Sequence, residues 1–208
     1  MNHVALLGDS IFDNRVYVAP APDVREQLRN QLGTDWRVSL VAVDGHVTND
    51  VRDRQIARVP DETSHIVISV GGNDALGRAS ILAESARSVA EAVGRLAEAQ
   101  ARFARSYGEM VDAVLTLGLP TAVCTIYDAN YPEPQRRLVA SALSLFNDVI
   151  TRAAFARGLD VIDLRLICDD PADYANPIEP SARGGEKIAR AIAGLVRSDR
   201  AERSSIWT

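Results

Sequence analysis

Five short apolar runs alternate along this chain with segments of helical period, and that alternation restricts the fold more than any other feature. The runs fall at residues 4–7, 36–43, 65–70, 120–127 and 160–164. Each is bounded by turn-forming residues, as expected of buried strands. Between them, residues 23–32, 80–117, 134–157 and 184–196 read as helices, and residues 48–51 as a short one. Asp23 is suited to an N-cap, Pro134 to a first turn, and Gly33 and Gly158 to stops. Residues 11–22 and 167–180 read as loops, and residues 198–208 as a tail. Strand–helix alternation of this kind implies a parallel sheet covered on both faces, that is, a three-layer α/β/α sandwich with five strands.

At 208 residues, with 47% apolar and 25% charged side chains, the chain suits one soluble domain, here residues 1–197. The net charge of −5, with no basic stripe, argues against a nucleic-acid partner. No signal-peptide pattern opens the chain, and no apolar stretch reaches the ~18 residues of a membrane helix. These features predict a cytoplasmic protein with no membrane partner. Cys124 and Cys168 are too few for a disulfide framework or a zinc site. Cys124 reads as a buried, inert thiol in a strand, Cys168 as a loop residue.

The segment 80–117 carries Val89, Val93, Leu96, Phe103, Tyr107, Met110 and Val114 at helical spacing, a core stripe broken only by Gln100. One helix of that length would span about 55 Å, so a break is expected near Gly94 or Gln100. Otherwise part of it projects as a lid or as the surface of a homodimer.

Right-handed crossovers bring the C-terminal ends of parallel strands to one edge of the sheet. Ser10, Gly45, Asn73 and the loop after residue 164 therefore converge. A serine nucleophile needs a base, a group that orients the base, and donors aimed at the developing oxyanion. The Ser10 and Gly45 N–H groups and the Asn73 side-chain amide supply three such donors. His3 and His65 begin strands, so they lie well over ~15 Å away at the opposite edge. His46, beside Gly45, is the one histidine on the correct edge.

Gly8-Asp9-Ser10, Gly45 after the second strand, and Gly71-Gly72-Asn73-Asp74 after the third resemble the first three sequence blocks of the SGNH/GDSL hydrolases. Order, spacing and strand context all match, over nearly the whole chain. The resemblance implies the flavodoxin-like sandwich of that family and an esterase, lipase or other acyl hydrolase that needs no metal or cofactor. Its substrate would be a small ester or acylated molecule. Ser10 would be the nucleophile, with Ser10, Gly45 and Asn73 forming the oxyanion hole.

The last block departs from the family's Asp-x-x-His-Pro. Here the stretch is Asn176-Pro177-Ile178-Glu179-Pro180, with Glu179 at the base position and Asn176 at the acid position. An ordinary carboxylate, near 4.3, is about two pKa units less basic than imidazole, near 6.5, costing roughly 3 kcal/mol of driving force. Burial or nearby acids would have to raise Glu179; Asp13, Asp169, Asp170 and Asp173 are candidates. Glu179 and His46 both stand as the base, with Asp13 and Asn176 as further base or orienting groups, and Glu179 could instead accept a substrate hydroxyl or amine. The alternative is a degenerate fold that binds an acyl or carbohydrate ligand without efficient turnover. A Glu179 turned to solvent, or paired with Arg52 or Arg54, would favour that second reading.

Overall fold

The computed structural model describes residues 2–198 and 206–207. β1 (Asn2–Gly8) runs into a short helical turn, α1 (Arg15–Val18), inside the predicted loop, and then into α2 (Val24–Leu32). The Asp23 carboxylate accepts from the Glu26 N–H and so starts α2 as the sequence predicted. β2 (Trp36–Leu40) stops three residues short of its predicted end. There the N–H groups of Val41 and Ala42 both converge on the Leu6 carbonyl at 2.9 Å, which breaks the ladder.

α3 (Thr48–Asp50) continues into a π-helical turn, Val51–Gln55, and a 3-10 turn, Ile56–Arg58. β3 (His65–Ser69) leads to α4 (Gly72–Leu76) and a 3-10 turn, Ala79–Ala83. The long helix is α5 (Val89–Leu115), followed by β4 (Thr121–Cys124) and α6 (Gln135–Phe155). β5 (Asp160–Ile162), α7 (Leu164–Ile167), the small antiparallel pair β6 (Tyr174–Asn176) and β7 (Glu179–Pro180), and α8 (Ala182–Arg197) follow.

The strand order is β2-β1-β3-β4-β5, all parallel, as the alternation predicted. A two-residue strand, β8 (Ile206–Trp207), pairs parallel with β5 and adds a sixth member. The predicted tail is thus in part a sheet edge; residues 199–205 and 208 lie outside the described residues. Period-two alternation splits the core between the two faces. Val4 and Leu6 point toward α2 and α8, whereas Ala5 and Leu7 point toward α5 and α6.

The expected break in segment 80–117 lies elsewhere. α5 is continuous through Gly94 and Gln100, and the interruption falls at residues 84–88. The Ser88 side chain accepts from the Glu91 N–H and sets the helix start there. Gln100 survives on the inner side because its amide donates to the Leu145 carbonyl of α6. The stripe is also only partly core. Phe103, Tyr107, Met110 and Val114 are buried, but Val89 is 81% and Val93 56% exposed. The reason is length: 27 residues span about 40 Å, whereas the five-residue strand β3 spans about 17 Å. The first turns of α5 therefore rise above the sheet edge.

Contrary to the sequence expectation, α6 is long and apolar enough to cross a membrane by length and composition, with a mean hydropathy of 1.3. Its apolar side is used within the domain, where Phe146, Val149, Ile150 and Ala154 pack on the α5 face of the sheet. Both cysteines are free and buried. Burial raises the Cys168 thiol to about 12, and it sits at the end of α7 rather than in an open loop.

Candidate active site

Ser10 leaves β1 through a turn that only Gly8 can make. Gly8 has φ +131°, and a Cβ there would lie 1.8 Å from the Ser69 carbonyl oxygen of β3. Close approach and backbone conformation both exclude a side chain. Gly8→Ala is accordingly expected to destabilise the protein by at least about 3 kcal/mol, combining overpacking with backbone strain. That loss would lower the thermal midpoint by roughly 6–12 °C, measured by circular dichroism. A midpoint within 2 °C of wild type would show that the turn relaxes freely.

Ser10 is 6% and Glu179 5% exposed, and the Ser10 hydroxyl donates to Glu179 Oε1 at 3.1 Å. A stapled hairpin holds Glu179 in place. The Tyr127 hydroxyl donates to the Ile178 carbonyl at 2.7 Å, and the Asn130 N–H to the Pro177 carbonyl at 2.8 Å. Burial raises the Glu179 carboxyl to about 7; the Ser10 hydrogen bond opposes the shift, and the charge of Asp44 adds to it. Glu179 Oε2 is buried and has no hydrogen-bond partner among the described residues. Asp9 beside Ser10 is fully buried and is raised to about 8, first by burial, against the Ile11 N–H and with the charges of Glu179, Asp74 and Asp44.

Gly45 adopts φ +80° in the turn after β2. Asn73, on α4, donates its side-chain amide to the His46 carbonyl at 3.0 Å, which joins the Gly45 turn to the exit of β3. Among the described residues, the N–H groups of Ser10 and Gly45 donate to no acceptor. Asp13 accepts from the Asp44 N–H at 3.0 Å, so it ties the loop after Ser10 to the Gly45 turn and does not reach Glu179. Tyr17 donates to Asp44 at 2.7 Å, and this bond pushes its hydroxyl up to about 12.

His46 turns its ring to Gln55, with Nδ1 at 2.9 Å from the Gln55 amide. Asn176 is exposed and accepts from the Ile178 N–H at 2.9 Å, within its own turn. Neither His46 nor Asn176 makes a hydrogen bond to Ser10 or Glu179. Asp169 and Asp173 pair with Lys187, and Asp170 with Arg183, so these acids are neutralised away from Glu179. Arg52 pairs with Asp53 and Glu109, and Arg54 with Asp50. His3 and His65 lie at the start of β1 and β3, at the opposite edge.

Beside Ser10 opens a cavity of about 430 Å³. Its walls are largely apolar: Leu82 from the turn before α5, Leu96 from α5, and Leu138, Ala142, Leu143 and Phe146 from α6. The turn before α5, α5 and α6 thus form a largely apolar wall beside Ser10. Among the described residues, no group of three or more His, Cys, Asp and Glu is placed to hold a metal ion.

Residues 6–187 match the profile of the GDSL-like lipase/acylhydrolase family. No curated protein matches the chain by sequence. Among solved structures, the chain is similar to a lipase from a goat rumen metagenome, with a TM-score of 0.71 at 18% identity, over 93% of this chain and 98% of that one. An extracellular lipase from Streptomyces rimosus superposes with a TM-score of 0.66 at 18% identity, over 95% of this chain and 100% of that one. A carbohydrate acetylesterase from Sinorhizobium meliloti gives 0.65 at 14% identity, over 94% of this chain and 98% of that one.

Proposed function

Because this chain belongs to the GDSL-like lipase/acylhydrolase family, we propose that it hydrolyses esters of medium-chain acyl groups with a Ser10–Glu179 dyad in place of a triad. The observation that carries the proposal is the hydrogen bond from Ser10 to a buried carboxylate at the mouth of an apolar cavity. A carboxyl near 7 is as basic as an ordinary imidazole, so burial of Glu179 offsets the roughly 3 kcal/mol by which a carboxylate base would otherwise fall short.

As Ser10 Oγ bonds to the acyl carbon, its proton passes to Glu179 and the carbonyl oxygen takes the negative charge. The Ser10 N–H, the Gly45 N–H and the second hydrogen of the Asn73 amide are the donors for that oxyanion. Glu179 then returns the proton to the departing alkoxide. Water enters by the same steps in reverse order: Glu179 takes its proton, hydroxide adds to the acyl carbon, and Ser10 leaves with the proton. The unpartnered Glu179 Oε2 is an acceptor for that water. The buried pairing of Glu179 with Ser10 also favours turnover over a purely binding role, for which a solvated or arginine-paired Glu179 was the expected sign.

The apolar wall supports the choice of acyl group. Each methylene buried there contributes about 0.8 kcal/mol, or up to about fourfold in kcat/KM. Along p-nitrophenyl acetate, butyrate, hexanoate and octanoate, kcat/KM should therefore climb, and Ala142→Phe should move the optimum to shorter chains. A preference for acetate in the wild type would contradict the assignment of the cavity to the acyl chain.

A further inference from the structure

Gln55 occupies a position that neither the motifs nor the cavity explains. It is fully buried and does not line the pocket. It is the last residue of the π-helical turn Val51–Gln55, and such turns are frequent at functional sites. The Gly8 N–H donates to Gln55 Oε1 at 2.8 Å, and Gln55 Nε2 donates to the Gly8 carbonyl at 2.7 Å. The same Nε2 lies 2.9 Å from His46 Nδ1.

The orientation of this amide follows from chemistry. A backbone N–H can only donate, so Oε1 faces Gly8 N and Nε2 faces Gly8 O and His46. His46 Nδ1 is then an acceptor, and its ring carries the proton on Nε2. The His46 carbonyl in turn receives the Asn73 amide. One side chain thus joins the strand end before Ser10 to the turn of Gly45, and through that turn to Asn73. All three proposed oxyanion donors hang on segments that Gln55 reaches directly or through one further bond.

We propose that Gln55 is a positioning residue for catalysis, which holds the nucleophile turn and the oxyanion turn in one fixed geometry. It touches no substrate and moves no proton. A displacement near 1 Å in such a site costs about a hundredfold in rate, so loosening the link lowers kcat rather than substrate affinity. The inference rests on the Ser10 hydrolase reading. Absence of Ser10-dependent turnover in the wild type would defeat that reading, whereas normal wild-type turnover with an insensitive Gln55 would defeat this inference alone.

The test compares Gln55→Leu with Gln27→Leu on p-nitrophenyl octanoate. Gln27 is another buried glutamine, whose amide donates to the Ala182 carbonyl at the start of α8 and bonds to none of the Gly8, Gly45 and Asn73 segments, so it controls for loss of a buried amide. Gln55→Leu should lower kcat by about tenfold or more with KM within about twofold, and slow fluorophosphonate labelling of Ser10 by a similar factor. Gln27→Leu should lower the thermal midpoint and keep kcat. Wild-type kcat in Gln55→Leu, or a loss carried wholly by KM, overturns the proposal. Should Gln55→Leu not fold, His46→Ala decides, since the one side-chain hydrogen bond it removes among the described residues is that to Gln55. A lower kcat with an unmoved pH midpoint supports the link, and an unchanged kcat overturns it.

Discussion

Ser10→Ala should remove turnover of p-nitrophenyl octanoate by at least about a thousandfold while the protein stays folded. On the proposed mechanism, the size follows from the loss of the atom that would form the acyl-enzyme; what would survive is binding and the proposed oxyanion donors, whose residual catalysis is small beside a covalent route. The substitution removes one hydroxyl whose sole hydrogen bond among the described residues is to Glu179. Glu179 would then be buried with neither oxygen paired, yet at about 7 it can take up a proton instead of remaining charged. The thermal midpoint at pH 6 should therefore move by only a few degrees. A mutant that turns over at the wild-type rate would remove Ser10 from the nucleophile role.

Glu179→Gln should be nearly as severe for activity and opposite in sign for stability. An amide cannot take the serine proton, so kcat/KM should fall by about 10²–10⁴. The stability effect follows from linkage. The folded carboxyl titrates at about 7 against an ordinary 4.5, so the folded state holds the proton more tightly than the unfolded chain. The stability this confers is complete below about pH 4.5 and is lost as pH rises to about 7, because the ionised form is desolvated. Replacing Glu179 by a neutral isostere removes that penalty. Thermal denaturation at pH 8 should show Glu179→Gln more stable than wild type by about 2–3 kcal/mol, with the gap closing by pH 5. Equal stability at both pH values would mean that Glu179 is solvated in the folded protein. A buried carboxylate that costs stability and provides catalysis is the usual trade at an active site.

The layout of this fold was largely legible because its determinants are local. Period-two runs such as Val4–Ala5–Leu6–Leu7 can satisfy two cores only in a sheet covered on both faces, and parallel topology then carries every strand exit to one edge. The convergence of the Ser10, Asn73 and Glu179 segments follows from that rule. Glu179 could be named from the Asn176-to-Pro180 stretch, but its burial could not. That burial depends on Tyr127 and Asn130, which hold the hairpin from a loop far away in sequence. Spacing put Asn176 three residues before Glu179, yet its carboxamide closes its own turn instead. The break in 80–117 was misplaced because Gln100 bonds to α6 and Gly94 is a single exposed helical position, where glycine costs only about 1 kcal/mol, while the Ser88 cap gives a sharper stop. Gln55 had no sequence signal at all: it lies in a π turn, where neither a 3.6-residue nor a two-residue period applies.

The central claim is that Glu179, and not His46, is the base for Ser10. A midpoint near pH 7 in the wild-type profile would not by itself identify the base, because burial has raised the Glu179 carboxyl to about 7, far above the ordinary carboxylate range. The decisive measurement is kcat/KM for p-nitrophenyl octanoate from pH 5 to 10 in wild type, His46→Ala and Glu179→Gln. With Glu179 as base, the wild-type rate rises with pH through a midpoint near 7. His46→Ala keeps that midpoint at a reduced rate, and Glu179→Gln loses both the midpoint and most of the rate. A midpoint that survives in Glu179→Gln and vanishes in His46→Ala would contradict the dyad and give the base role to His46.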